Sequence, residues 1–158
     1  MPNQDTPRKL MAILPEISQK NRQIVYKKAY HPLLLQAHNL ENKATHPQDL
    51  ALDPENRIVV ISGPNAGGKS ITLKTVGLLQ LMLQSGMLIP VHESSKATLF
   101  SQILTDIGDN QSIENHLSTY SYRLKNMKYF LRKCNENTLF LIDEFGTGSD
   151  PELGGALA

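Results

Sequence analysis

The run Gly63-Pro64-Asn65-Ala66-Gly67-Gly68-Lys69-Ser70 places a lysine and a hydroxyl directly behind a glycine-rich stretch. The spacing (a glycine, four free positions, then Gly-Lys-Ser/Thr) is that of a phosphate-binding loop. Gly63, Gly67 and Gly68 let the backbone pass close to an anion with successive N–H groups turned inward, and the N-terminus of a following helix adds about half a positive charge. In such an arrangement Lys69 acts as a point charge on the β- and γ-phosphates, and the Ser70 hydroxyl helps hold Mg²⁺. The expected nucleotide-binding stretch is therefore Gly63, Pro64, Asn65, Ala66, Gly67, Gly68, Lys69, Ser70 and Ile71. A second pair of chemical groups, Asp143-Glu144, stands behind the apolar run Thr138-Leu139-Phe140-Leu141-Ile142. A carboxylate at the C-terminal end of a strand beside a phosphate loop completes the Mg²⁺ shell, usually through water, so Ser70 and Asp143 are the expected metal ligands. Glu144, one residue on, is placed to orient or deprotonate an attacking water, which makes Lys69 and Glu144 the expected catalytic groups.

These groups need elements to hold them. Arg57-Ile58-Val59-Val60-Ile61-Ser62 reads as a buried strand feeding the loop, and residues 68–84 as a helix apolar on most faces. In that helix Lys74, Gln80 and Gln84 share a narrow polar stripe, and Gly86 is the expected stop. Thr138 to Ile142 has the continuous apolar character of a strand in the middle of a parallel sheet. Upstream, Ile24-Val25-Tyr26 reads as a short strand, His31-Pro32 as a turn into apolar Leu33 to Leu35, and Asp49 to Leu52 as an edge strand. Ser101 to Ile107 reads as a further strand. A second helix is expected over Ser118 to Lys133, with Leu117, Tyr120, Leu124, Met127, Leu131 and Cys134 forming one apolar stripe. Arg123, Lys125, Lys128 and Arg132 lie mainly off that stripe, as a solvated face would. Asp150-Pro151-Glu152 has the residues of a helix start. A chain that stops at Ala158, barely two turns on, reads as a fragment of a longer protein.

Composition excludes several function classes. The 158 residues carry a net charge of +1, with 40% hydrophobic and 20% charged residues, as in an ordinary soluble domain. A balanced charge leaves no overall electrostatic footprint for nucleic acid. The lone Cys134 cannot form an internal disulfide, which suits a reducing cytoplasm. No uncharged apolar run reaches the roughly 18 residues of a membrane span. Residues 1–25 read as a lead-in or linker from a preceding domain, and residues 26–158 as a partial ATPase domain lacking its C-terminal part. A GTPase would need Asn-Lys-x-Asp after the phosphate loop, and the Asn42-Lys43 pair precedes it.

Ile61-Ser62-Gly63-Pro64-Asn65-Ala66-Gly67-Gly68-Lys69-Ser70 resembles the phosphate loop of the MutS family of DNA mismatch-repair ATPases. His31-Pro32-Leu33-Leu34, Ser85-Gly86 to Pro90, Ser118-Thr119-Tyr120 and Asp143-Glu144-Phe145-Gly146-Thr147-Gly148 agree in the same order. The run Asp106 to Glu114, followed by Leu117 to Ser121, resembles the bacterial MutS-two branch, associated with suppressing recombination and with branched DNA or stalled ribosomes.

The resemblance implies an α/β fold of the phosphate-loop NTPase class, ABC-like, with a mainly parallel sheet and helices on both faces. It also implies homodimers that sandwich ATP or ADP with Mg²⁺ between subunits, Ser118 and Thr119 meeting the γ-phosphate held by the other copy. The loop Gly146 to Ser149 resembles the segment that crosses that interface. His31-Pro32 resembles the entry to the nucleotide domain, or serves only as a rigid turn. Gln111 is a minor candidate near the metal, whereas His92 and His116 do not match the family's phosphate-sensing histidine and read as surface residues. The expected function is ATP binding and Mg²⁺-dependent hydrolysis within a MutS-like protein of mismatch repair or recombination control, with DNA held by domains absent from this chain and no membrane partner. The alternative is a catalytically incomplete nucleotide-binding and dimerisation fragment.

Overall fold

The computed structural model describes residues 12–63, 68–107 and 116–143, with the backbone alone over 116–123. It divides into two compact units, Met1–Leu99 and Phe100–Ala158.

The first unit is built on a four-stranded sheet. Strand β1 (Glu16–Ile17) lies at one edge, followed after β2 (Ile24–Ala29) and helix α1 (Pro32–Leu40) by β3 (Gln48–Leu52). Helix α2 (Lys69–Gln84) and strand β4 (Lys96–Ala97) complete it, and the spatial order is β1-β4-β2-β3. The β1–β4 ladder is parallel, while β2 runs antiparallel to both β3 and β4. The Asp49 to Leu52 stretch therefore does form an edge strand. Register along β2–β3 shifts between Tyr26 and Ala29, where Lys28 takes a φ of 46° and its N–H donates to Asp49 Oδ1 at 2.7 Å. The carboxylate satisfies an amide that the shifted ladder leaves over. Part of the stretch read as a lead-in is tied to this unit, since Ile13 and Ile89 exchange backbone hydrogen bonds at 2.9 Å in both directions.

Helix α2 ends as the glycine predicts. Gly86 has φ 77°, its N–H donates to Leu83 O at 3.0 Å, and the Met87 N–H donates to Met82 O at 2.9 Å. Those two bonds make a Schellman stop, which satisfies carbonyls that the helix itself cannot. Val76, Leu79 and Leu83, one helical face, are buried, as are Ile24, Tyr26 and Ile89 elsewhere in the unit. Gln80, expected on a polar stripe, instead has no exposed surface. Its Oε1 accepts from the Tyr26 hydroxyl at 2.8 Å, and its Nε2 donates to Thr98 O at 2.8 Å. A buried amide with both ends satisfied is tolerated and fixes the helix against β2 and the chain after β4.

The second unit holds β5 (Gln102–Asp106), α3 (His116–Lys133) and β6 (Thr138–Ile142). Strands β5 and β6 pair in parallel over their full length, Gln102 against Thr138 through Asp106 against Ile142. Helix α3 crosses between them and packs Phe130 against Phe140 on β6, the rings edge to face with centroids 5.0 Å apart. Alternate residues Leu139 and Leu141 are buried from the other face of the strand.

Two expectations need correction. Residues 57–62 form no strand, and Ile58 and Val60 are 83% and 84% exposed. A β-prone run becomes a strand only where a neighbour hydrogen-bonds to it, and none does among the described residues. Among the described side chains of α3 it is Phe130 that is buried, whereas of the predicted stripe Leu124 and Leu131 are 48% and 68% exposed, Cys134 is exposed and Met127 is half-buried; the side chains of Leu117 and Tyr120 lie outside the described residues. Spacing defined a helix but not which of its faces meets the strands. The chain is α/β, and among the described residues its sheets are short, the four-stranded one mixed and the two-stranded one parallel. The helix start at Asp150 lies outside the described residues.

Replacing Gln80 with leucine leaves the Tyr26 hydroxyl and the Thr98 carbonyl buried without partners. The expected loss is about 2–3 kcal/mol of unfolding free energy, against about 1 kcal/mol for Tyr26→Phe. Urea denaturation followed by circular dichroism measures both, and equal losses would contradict a central role for Gln80.

Candidate functional site

The loop and the helix behind it sit in the first unit. Gly63 closes the described chain before the loop with φ 148°, and Gly68 reopens it with φ 81°, the left-handed conformation that side chains disfavour. Among the described residues, no atom beyond the adjoining chain lies within 4 Å of where a Cβ would sit on either glycine, so both mark open space beside the backbone. Pro64, Asn65, Ala66 and Gly67 lie outside the described residues.

Gly68 is the N-cap of α2 and supplies no side-chain hydrogen bond, and no acidic residue stands in the first turn. The first helical bonds run from Thr72, whose N–H and hydroxyl both donate to Gly68 O at 2.9 and 3.0 Å. Gly68 therefore lends no capping side chain to the amides before Thr72, and the positive pole of α2 is not neutralised by an acid in its own first turn. Lys69 Nζ donates to Gly63 O at 2.5 Å, bridging the two ends of the loop. Ser70 and Ile71 follow in the same turn, both half-buried. An oxyanion suits every one of these groups: left-handed glycines beside open space, a helix pole with no acid in its first turn, an ammonium and a hydroxyl.

Asp143 belongs to the second unit. Its N–H donates to Asp106 O at 2.9 Å, which carries the parallel ladder one step past Ile142. Both Asp106 and Asp143 thus sit at the C-terminal end of the parallel pair, where α/β proteins place their ligand-binding groups. Asp106 was not singled out as a site residue, and only strand pairing shows it beside Asp143. Glu144 lies outside the described residues. Ser118 and Thr119 fall in the first turn of α3, but their side chains lie outside the description, as do Gln111 and the loop Gly146 to Ser149. Among the described residues, no group of three or more His, Cys, Asp or Glu side chains could hold a metal ion. Ser70 in the first unit and Asp143 in the second each carry an oxygen donor of the kind Mg²⁺ takes.

His31 has the rigid-turn role. It caps α1, its Nδ1 accepting from Leu34 N–H at 3.4 Å, with Pro32 opening the helix. Burial lowers its pKa, and the positive charge of Lys74 on α2 lowers it further. His92 is exposed and hydrogen-bonds through Nδ1 with the Ser94 hydroxyl, as a surface residue would. No described helix is long and apolar enough to cross a membrane.

The sequence profile of MutS domain V matches residues 59–158, and the chain belongs to the MutS family. Its relatives include proteins named endonuclease MutS2. That of Enterococcus faecalis is 49% identical over 151 residues, 96% of this chain, and that of Finegoldia magna 49% over 133 residues, 84% of this chain. The same-named protein of Carboxydothermus hydrogenoformans is 44% identical over 149 residues. The chain spans about 18% of the length of the first of these relatives and 16% of the second.

Because folding lowers the His31 pKa, the folded protein favours the neutral ring. The stability this contributes is complete above the ordinary value of 6.5 and is lost as pH falls below it, through the folded value. NMR titration should place the His31 midpoint below 6.5, and Lys74→Gln should move it upward. A midpoint unmoved by that substitution would show that Lys74 exerts no field on the ring.

Proposed function

We propose that this chain binds ATP through Gly63 to Ile71 and hydrolyses it with Mg²⁺, as the nucleotide module of a MutS-like DNA-processing protein. The observation that carries the reading is the start of α2 on left-handed Gly68, with no acid in its first turn and Lys69 reaching back across the loop to Gly63. The family membership supports the same reading. A phosphate-loop NTPase of the ABC-like kind, with a mainly parallel sheet, is the fold proposed for the whole domain. The parallel β5–β6 pair is the part of the present structure that supports it.

In this reading Lys69 exchanges the Gly63 carbonyl for phosphate oxygens, and the N-terminal amides of α2 take up charge on the same anion. Ser70 and Asp143 are the proposed Mg²⁺ ligands; the bound ion would supply charge neutralisation on the β- and γ-phosphates. Glu144 orients a water and accepts its proton as the water oxygen bonds to the γ-phosphorus. The bond to the bridging oxygen breaks, and ADP and inorganic phosphate leave. Ser118 and Thr119 are proposed to close the site from a second copy of the chain, which makes the working unit a homodimer. Contacts of the parent protein with DNA through segments outside this chain, and a cytoplasmic setting, belong to the same proposal.

Steady-state phosphate release and nucleotide binding separate the roles. Lys69→Ala should weaken ATP binding by about ten- to a hundredfold, the equivalent of one lost charge-assisted hydrogen bond. Glu144→Gln should keep binding and lower turnover by about a hundredfold or more. Release at background level from the unaltered chain would contradict turnover by this module and leave a nucleotide-binding and dimerisation role. Binding undiminished in Lys69→Ala would contradict the site itself.

A further inference from the structure

Charge in this chain is segregated. Helix α3 carries five basic residues and no acidic one, while the rest of the chain carries eleven basic against fifteen acidic residues. The near-neutral total therefore hides one basic helix in an otherwise acidic protein.

Four of the five basic residues share one face. Lys125, Lys128, Arg132 and Lys133 follow the helical repeat, are all exposed, and have Tyr129 between them. Phe130, which packs on Phe140, points away from this face, so the stripe lies away from β6. No ion pair involves these four residues among the described residues, where Lys43–Glu41 and Lys96–Glu16 do occur. The negative pole of α3 accounts for Arg132 and Lys133 in its last turn, but not for Lys125 and Lys128, which stand earlier in the helix.

We propose that this face of α3 binds the phosphate backbone of duplex DNA, so that the nucleotide module itself contacts nucleic acid. From Lys125 to Lys133 the stripe covers about 12 Å of helix axis, a rigid row of four cations against a rod that carries one phosphate about every 3.4 Å along each strand. Tyr129 is the one aromatic side chain on the stripe, and a single ring is too little for the stacking platforms that hold single strands. The exposed leucines Leu124 and Leu131 border the basic row beside Lys128, but two leucines with half-buried Met127 make a narrower apolar surface than the broad face of a membrane-surface helix. The contact is one of charge, without base readout. It needs no nucleotide, so it stands or falls separately from ATP binding.

The test is fluorescence anisotropy of a labelled, mixed-sequence duplex of about 30 base pairs, without nucleotide, from about 50 to 200 mM KCl. Four neutralised phosphates predict a log–log salt slope between about −3 and −4, a loss of roughly a hundredfold over that range. The double variant Lys125→Gln/Lys128→Gln, with its helix content checked by circular dichroism, should flatten the slope by about two. The control Lys20→Gln/Lys27→Gln, two exposed lysines of the first unit, should leave it unchanged. If the double variant fails to fold, Lys128→Gln alone should still flatten the slope by about one. An unchanged slope in folded α3 variants, an equal effect of the control pair, or tighter binding to phosphatidylserine vesicles than to the duplex overturns the proposal.

Discussion

The start of α2 is the constraint on which the proposed site depends. Helices usually finish their first turn with a side-chain cap, and this one begins instead with a left-handed glycine that offers none. A pole left in that state is useful only if the helix cannot shift to hide it. Three features hold α2 in place: a buried face of Val76, Leu79 and Leu83, the Tyr26–Gln80–Thr98 hydrogen bonds, and the Schellman stop at Gly86. The polar interior of the first unit thus serves the helix, and the helix presents the backbone that a phosphate would meet. Lys69 on Gly63 shows the same economy, since the ammonium satisfies a loop carbonyl with the group that an anion would recruit.

The second unit contributes chemistry by a different route. Parallel pairing of β5 with β6 brings Asp106 and Asp143 to neighbouring strand ends, and the edge-to-face rings of Phe130 and Phe140 anchor α3 to the pair. Anchoring through one face leaves the opposite, basic face of α3 exposed.

Much of the local structure was legible because local chemistry determines it. Gly86 can adopt a φ that other residues resist, so the end of α2 is written at one position. The apolar run from Thr138 to Ile142 has the length and composition of a strand, and it pairs in parallel with β5, with Leu139 and Leu141 buried. The misreadings all concern partners distant in the chain. Gln80 looks like a surface residue until Tyr26 and Thr98, 54 and 18 residues away, are seen to satisfy it. Residues 57–62 have β propensity, but propensity names no neighbour. The periodicity of α3 was right, while its buried side was set by Phe140. For the candidate site, Gly63, Gly68, Lys69 and Ser70 could be read from their spacing, whereas the pairing of Asp106 with Asp143 depends on strand register, which no single segment encodes.

The central claim is that backbone amides at the start of α2, with Lys69, receive a polyphosphate. Amide chemical shifts in ¹⁵N-labelled protein test it most directly, comparing ATP with adenosine at equal concentration and with the same Mg²⁺ in both samples. The account predicts large shifts for Gly63, Gly68, Lys69 and Ser70 with ATP and none with adenosine, because the triphosphate is the only difference between the two ligands. Shifts that adenosine reproduces, or ATP-induced shifts that leave these four amides unmoved, would contradict it.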